Sequence, residues 1–366
     1  MPIPTFRPIR LAPPALTTTV AATEVVDAQT WLFAIVDGNN NVVVSAAGQD
    51  MTGSSYIYVG FLPTPLDSAS YASVAWVDLT AALGVTDVAD IWHIYAHDYH
   101  WITYSNKTAD SLSLVGLNPS DLSVAFGPFL IVDSGGGGLV PWSANMATND
   151  HFLVVGPWHS VCVGFSDRDN DETYIEVVDY GGVEIARYQF SNLSAPALPA
   201  NSGCSAQRVL RTSTLMTERR FRMLVTTTLN PSADSDILLY DFDNTWTATS
   251  VTPVTLLNTA GVNYGMATEQ NLSALGHRLV TYRKFPTGGA GGSSGDMGQV
   301  ARTWFDASGV AVATKAEEFV VSALEAARPH TSQWTDPTTR KSYLLTCWSA
   351  QPSVKYIGYL QVEEIG

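Results

Sequence analysis

Strand-like runs that recur about every 60 residues are the feature that most constrains how this chain folds. Each run is short, rich in β-branched and aromatic residues, and flanked by turn residues, with almost no helical periodicity between runs. The clearest series consists of 41–45, 100–105, 160–165, 221–226, 277–282 and 342–347. A steady period of this kind is typical of a repeat architecture in which each unit is one supersecondary element.

Each unit divides into four strands, A to D, joined by short turns. Asp37–Asn41, Asp179–Gly182 and Asp306–Gly309 are rich in the residues that tolerate positive φ in tight turns. We therefore predict an all-β, six-bladed β-propeller with four antiparallel strands per blade, formed by residues 1–366 as a single domain. The predicted blades are about 29–80, 90–130, 150–190, 207–256, 263–320 and 328–363.

The sixth unit ends after three strands, so its outermost strand has to come from elsewhere. Residues 5–11 precede the first unit and are held extended by prolines. We predict that this N-terminal strand closes the last blade, at an edge position where Pro8 is tolerated.

Composition excludes several classes of function. Against 34 acidic residues the chain has 19 basic ones, a net charge of −15, so binding to nucleic acid is not expected. Apolar runs are too short to insert into a membrane, and the N-terminus does not resemble a signal peptide, so a cytoplasmic or virion-associated protein is expected. Cys162 and Cys347 lie within apolar strands, where buried thiols are expected.

The longest connections fall on one rim of the predicted ring, which we call the loop rim. It carries the D-to-A and B-to-C connections, whereas the opposite turn rim carries the A–B and C–D turns. Each strand A lines the central channel and begins at the loop rim. Polar residues at these positions predict a site for a polar ligand such as a sugar: Gln29, Asp90, Asp150, His151, Arg208, Tyr264, Arg328 and His330. The alternative is a channel that is polar because it holds water.

Metal sites have weaker support. Asp167, Asp169 and Asp171 alternate in a B–C loop, a spacing that suits Ca²⁺, although a solvated acidic turn is the alternative. His93 and His97 share a strand face but are about 13 Å apart at strand rise, and His100 lies beyond a turn. We therefore expect no histidine metal site and no cofactor other than Ca²⁺.

Catalysis would require facing carboxyl groups. Asp90 and Asp150 lie on neighbouring blades and are the candidates for glycoside hydrolysis, which uses two carboxyl groups across the scissile bond.

Phe6-Arg7-Pro8-Ile9 is similar to the Phe-Arg-Ile-Pro motif of sialidases. At fold level the chain resembles sialidase-like and furanosidase-like propellers. The resemblance implies that Arg7, with Arg208 and Arg328, would bind a substrate carboxylate. The sialidase Asp-box is matched in part by Asp169 with Thr173 and Tyr174, and by Asp241 with Thr245 and Trp246. The predicted strand order, however, puts Arg7 at the periphery.

The chain also resembles tailed-phage virion proteins in its Lys-poor, acidic, Thr/Ser/Ala-rich composition. From these features we expect a non-catalytic binding or structural propeller that recognises a glycan or protein partner through its loop rim. It could be a virion (phage tail) component or a subunit of a surface assembly. The alternative is a sialidase-like or furanosidase-like glycoside hydrolase with its site at the channel mouth.

Overall fold

All regular structure in the described part of the chain is β-strand. The computed structural model describes residues 9–11, 31–49, 55–63, 74–85, 88–106, 111–133, 151–156, 159–167, 172–189, 203–212, 217–226, 234–243, 245–247, 254–272, 277–286, 298–306, 310–312, 317–350 and 357–365. Within these ranges no helix is long and apolar enough to cross a membrane.

The strands form six four-stranded antiparallel blades, as predicted. The first strand in the chain is β1 (Ile9–Leu11). Blade 1 consists of β2 (Trp31–Val36), β3 (Val42–Gln49), β4 (Ser55–Leu62) and β5 (Ala75–Asp78). Blade 2 consists of β6 (Val88–Ala96), β7 (Tyr99–Asn106), β8 (Ser111–Leu117) and β9 (Val124–Asp133). Blade 3 consists of β10 (His151–Val155), β11 (Ser160–Asp167), β12 (Glu172–Asp179) and β13 (Glu184–Gln189).

The other three blades follow the same order. Blade 4 consists of β14 (Gly203–Thr212), β15 (Thr217–Thr226), β16 (Ile237–Phe242) and β17 (Val254–Leu257). Blade 5 consists of β18 (Val262–Leu272), β19 (His277–Pro286), β20 (Gly298–Phe305) and the first part of β21 (Glu318–Thr335). Blade 6 consists of the second part of β21, β22 (Ser342–Ala350), β23 (Ile357–Ile365) and β1.

The N-terminal strand closes the last blade, which confirms the prediction. In β1, Ile9 is paired with Leu360 and Leu11 with Gly358 of β23, in antiparallel register. The long strand β21 runs out of blade 5 directly into blade 6, so the two blades form one continuous seven-stranded sheet. This pairing covers part of the outer edge of β23, which would otherwise be open to other chains.

A single turn design recurs on the turn rim. Asp37 Oδ1 accepts hydrogen bonds from the backbone N–H groups of Asn39 (2.9 Å) and Asn41 (2.7 Å). Asp179 and Asp243 bind the N–H groups two and four positions further on in the same way. The fourth residue of each turn has positive φ: Asn40, Gly182 and Trp246. Short polar side chains that cap their own turn explain why the sequence signalled these turns so clearly.

Packing between blades is mainly apolar. One continuous core cluster includes buried residues of blades 1 to 4, among them Cys162, and a second joins blade 1 to blade 6 through Cys347. Both thiols are fully buried, as predicted. Hydrogen bonds also cross the seam between the first and last blades. Ser332 Oγ donates to the carbonyl oxygen of Ala34 at 2.7 Å, and Trp334 Nε1 donates to that of Asn40 at 3.0 Å.

Candidate functional site at the channel mouth

Six inner strands surround the central channel. They are β2, β6, β10, β14, β18 and the second part of β21, and each contacts the next around a closed ring. On the turn rim, the ring of His97, in the A–B turn of blade 2, lies 5.9 Å from the ring of Tyr180, in the C–D turn of blade 3. The inner strands therefore begin together at the opposite end, which is the loop rim.

Backbone bulges interrupt three inner strands: β18 between Gly265 and Thr268, and β6 and β21 beside two of the predicted site residues. The pairing of β6 with β7 shifts between Val88 and Ile91, and Asp90 lies within that shift. The pairing of β21 with β22 shifts between Ala327 and His330, and Arg328 lies within that shift. Bulges are frequent beside active sites, because the extra residue changes the direction of a side chain without ending the strand.

These bulges have no reliable sequence signal. Pro329 is the exception, because proline inside a strand pattern is confined to edges and bulges, and it could have indicated the one at Arg328. The sequence next to Asp90 contains no proline that could have indicated its bulge.

Three rings from three blades pack together just below the bulges of β6 and β21, and we call this group the channel floor. The ring centroid of His330 lies 4.8 Å from that of Phe33 and 6.4 Å from that of Trp92, and Phe33 and Trp92 are 5.4 Å apart. The first ring belongs to blade 6, the second to blade 1 and the third to blade 2. Phe33 and Trp92 are buried, so the floor is largely apolar.

His330 supplies the polar group of this floor. Its Nδ1 atom is buried and has no hydrogen-bond partner among the residues that the structure describes. Burial disfavours the imidazolium cation and lowers the pKa of His330 to about 4. The side chain is therefore neutral near pH 7 and retains an unused hydrogen-bonding position.

The remaining predicted ligand-binding residues are located as follows. His151 is the first residue of β10 and is buried, and Arg208 lies in β14. Tyr264 is buried in the core, where its hydroxyl donates to Thr259 Oγ1 at 2.8 Å. Its phenol is thus already engaged, and we leave it out of the site. Gln29 and Asp150 lie outside the described residues.

The histidines of blade 2 are arranged differently from the sequence interpretation. Strand alternation groups His93 with His97, yet His93 Nε2 lies 3.0 Å from His100 Nδ1, because cross-strand pairing brings the residue beyond the turn back alongside β6. His97 instead lies at the turn rim, with its ring 5.4 Å from that of His159 of blade 3.

Ca²⁺ binding in the acidic B–C loop stays a prediction. Asp167 ends β11, while Asp169 and Asp171 lie outside the described residues. Across the described ranges, no group of three or more His, Cys, Asp or Glu side chains is arranged to hold a metal ion.

The Asp-box resemblance is corrected in one respect. The carboxylate that organises the C–D turn of blade 4 is Asp243, not Asp241, since Asp243 Oδ1 accepts from the backbone of Thr245 and Thr247. Trp246 is buried and stacks on Phe221 at 4.1 Å. Arg7 lies outside the described residues, although the adjoining β1 is the outermost strand of its blade.

The fold defines a six-bladed β-propeller with a central channel. A triple arginine mutant of AofleA from Arthrobotrys oligospora is similar over 98% of this chain and 94% of that one, at 8% identity and a TM-score of 0.54. The α-L-arabinofuranosidase Arb93A from Fusarium graminearum is similar over 75% and 92%, at 13% identity and a TM-score of 0.45. The α-L-arabinanase from Penicillium chrysogenum is similar over 71% and 77%, at 11% identity and a TM-score of 0.43. No family model matches the sequence, and no curated protein matches it.

These findings correct the function expected first. The sequence alone favours a non-catalytic binding or structural propeller, with a virion role, over a hydrolase, yet two of these structures bear the names of carbohydrate-cleaving enzymes. The non-catalytic interpretation is therefore withdrawn. At such low identity the likeness concerns the fold alone.

Proposed function

We propose that this protein is a glycoside hydrolase whose site lies at the loop-rim mouth of the channel. The observation that carries the proposal is the bulge at Asp90 in β6, beside an inner strand, β10, that a second acidic residue precedes in the sequence. Asp90 lies in the bulge of β6, and Asp150 directly precedes β10. Strands β6 and β10 contact each other, and both begin at the loop rim.

Glycoside hydrolysis needs two carboxyl groups on either side of the scissile bond. One protonates the departing oxygen, while the other activates water or attacks the sugar carbon directly. Productive separations range from about 5 Å in retaining enzymes to about 9.5 Å in inverting ones.

Two neighbouring features supply substrate contacts. Arg328 lies in the backbone bulge of β21, and an arginine side chain carries a permanent positive charge that suits hydrogen bonds to a sugar. His330 is neutral and half-buried, and its ring packs with Phe33 and Trp92 in the apolar floor below this end of the channel. A mostly apolar concavity with a few convergent polar groups is the usual form of a small-ligand site.

A carbohydrate is accordingly the substrate class. Arabinan and aryl arabinofuranosides are the first substrates to test, because two similar structures are named for acting on arabinose-containing glycans. A wider glycan panel then covers other sugars.

The test compares reducing-sugar release by the wild type with that by Asp90→Asn and Asp150→Asn. We expect each variant to lose at least about 100-fold in kcat, the usual contribution of a positioned acid or base. Asp121→Asn is the matched control, because Asp121 is an exposed carboxylate in a turn-rim C–D turn and asparagine can form the same turn. Absence of hydrolysis across the panel, or full activity in Asp90→Asn, would refute the proposal.

A further inference from the structure

A buried chain of three polar side chains joins blade 1 to blade 2. Ser45 Oγ, on β3, lies 2.9 Å from His93 Nδ1, on β6. His93 Nε2 lies 3.0 Å from His100 Nδ1, on β7. All three residues have no exposed surface, and the proposed function makes no use of them. We call this group the histidine clamp.

The last nitrogen atom of the histidine clamp, His100 Nε2, makes no hydrogen bond in the described structure. This atom is buried. An unpaired buried polar atom costs free energy, so one expects a compensating role. The imidazoles of His93 and His100 are both neutral in the closed propeller. Either His100 donates to His93, which donates to Ser45, or both bonds run in the opposite direction.

The surroundings make a positive charge on the clamp unfavourable. Burial lowers the pKa of His93 well below its usual value, and both His100 and His330 lower it further. Burial also lowers the pKa of His100 to about 4, against a smaller opposing influence from the Asp37 carboxylate. The other titratable neighbour in the described structure is Tyr95, whose ring lies 5.1 Å from that of His100 and whose hydroxyl donates to Asp98.

We propose that the histidine clamp is an acid-sensitive contact between blades 1 and 2. It stabilises the closed propeller while both histidines are neutral, and it is lost when they become protonated. The inference rests on the described contacts alone and does not depend on the proposed hydrolase activity.

The order of protonation follows from the geometry. A first proton adds to His100 Nε2, the open position, so that His100 Nδ1–H donates to His93 Nε2. A second proton, on His93, would turn His93 Nε2 into a donor that faces the His100 donor at 3.0 Å. The second proton therefore breaks the chain between the two histidines.

The sign of the pH effect is set by the lowered pKa values. A histidine whose folded pKa lies below its unfolded value leaves stability unchanged above about pH 6.5 and reduces it as the pH falls towards the folded pKa. For His100 alone, a folded pKa of about 4 makes local opening roughly 20-fold more favourable at pH 5 than at pH 7.

Backbone amide hydrogen exchange of the full-length protein, corrected for the intrinsic effect of pH on the exchange rate, tests this proposal. We expect exchange to rise roughly 20-fold between pH 7 and pH 5 in 42–49 and 88–106, with little change in 160–167 and 172–179 of blade 3. A rise shared equally by all blades, or no rise at all, would overturn the proposal.

Two variants distinguish the pH dependence caused by the histidine clamp from a general sensitivity of the protein to acid. The double variant His93→Leu/His100→Phe replaces both partners with apolar side chains and should abolish the local pH dependence. His159→Asn changes an exposed histidine of blade 3 and should leave it intact. If the double variant does not fold, histidine NMR titration of the wild type decides. A pKa near 6.5 for His100 would contradict the proposal, and one near 4 with opening of blades 1 and 2 would support it.

Discussion

The rings of Phe33 and His330, from the first and last blades, lie 4.8 Å apart in the floor of the central channel. Their strands, β2 and β21, are neighbours only because the ring is closed. The same seam carries the hydrogen bond from Ser332 to Ala34. The floor of the proposed site and the closure of the propeller are therefore one structural feature.

Replacing Phe33 with alanine should weaken that seam. The side chain is 3% exposed and contacts Trp92 as well as His330, so Phe33→Ala should reduce the free energy of unfolding by about 3–5 kcal/mol. Chemical denaturation measures the change. Val183→Ala is the control, because Val183 is 60% exposed and should cost under about 0.5 kcal/mol. Equal effects from the two variants would contradict the packing described here.

Breaking the buried ion pair between blades 5 and 6 should lower the free energy of unfolding more than breaking an exposed ion pair. Arg302 Nη2 lies 2.5 Å from Glu363 Oε2, with side chains 2% and 9% exposed. Arg302→Met should cost about 3–5 kcal/mol in unfolding free energy, because it leaves Glu363 buried without its partner. Adding Glu363→Leu to Arg302→Met should recover much of that loss.

The exposed pair Lys341–Glu364, at 3.0 Å, is the matched control for this experiment. Lys341→Met should cost less than about 1 kcal/mol. A large loss in Lys341→Met, or none in Arg302→Met, would contradict the distinction.

Removing residues 1–11 should destabilise the last blade. The truncation deletes β1 and exposes the edge of β23, so we expect a lower melting temperature and concentration-dependent association. Differential scanning calorimetry and size-exclusion chromatography measure the two effects. Removal of residues 1–4 alone keeps the paired strand and should behave as the full chain does.

Blade 3 contains a glycine that an aromatic ring covers. A Cβ atom at Gly164 would lie 2.1 Å from the ring of Phe152, its cross-strand partner. Gly164→Ala should therefore cost about 1–3 kcal/mol in unfolding free energy, through forced displacement of the ring. Combining it with Phe152→Leu should cost less than the sum of the two single changes. Simple additivity in denaturation experiments would contradict this contact.

Two cysteines should resist labelling in the folded protein. Cys162 and Cys347 have no exposed surface, and burial also raises the pKa of the Cys347 thiol, so little thiolate forms. Maleimide at pH 8 followed by peptide mass spectrometry should find both unmodified in the native protein and both modified after denaturation. Rapid native labelling of either residue would show that its strand opens readily.

Much of the architecture follows from local sequence patterns. Strand periodicity, the Asp-rich turns such as Asp179–Gly182, and the missing fourth strand of the last unit all predict features that the structure confirms. These patterns are readable because turn chemistry and strand alternation act between residues close in the chain. The two apolar-strand cysteines were predictable for the same reason.

The site depends on pairings that no local pattern specifies. The bulges at Asp90 and Arg328 arise from register shifts between strands, and the alternation of residues along one strand does not encode them. Likewise, His93 meets His100 across a turn and Ser45 across a blade boundary.

The sequence by itself therefore determined the six repeats, their turns and the closure by the N-terminal strand, because local preferences repeated six times reinforce one another. Only the tertiary structure decided which side chains meet in the channel floor and in the histidine clamp. Those contacts join different blades, and their geometry exists only once the ring has closed around the channel.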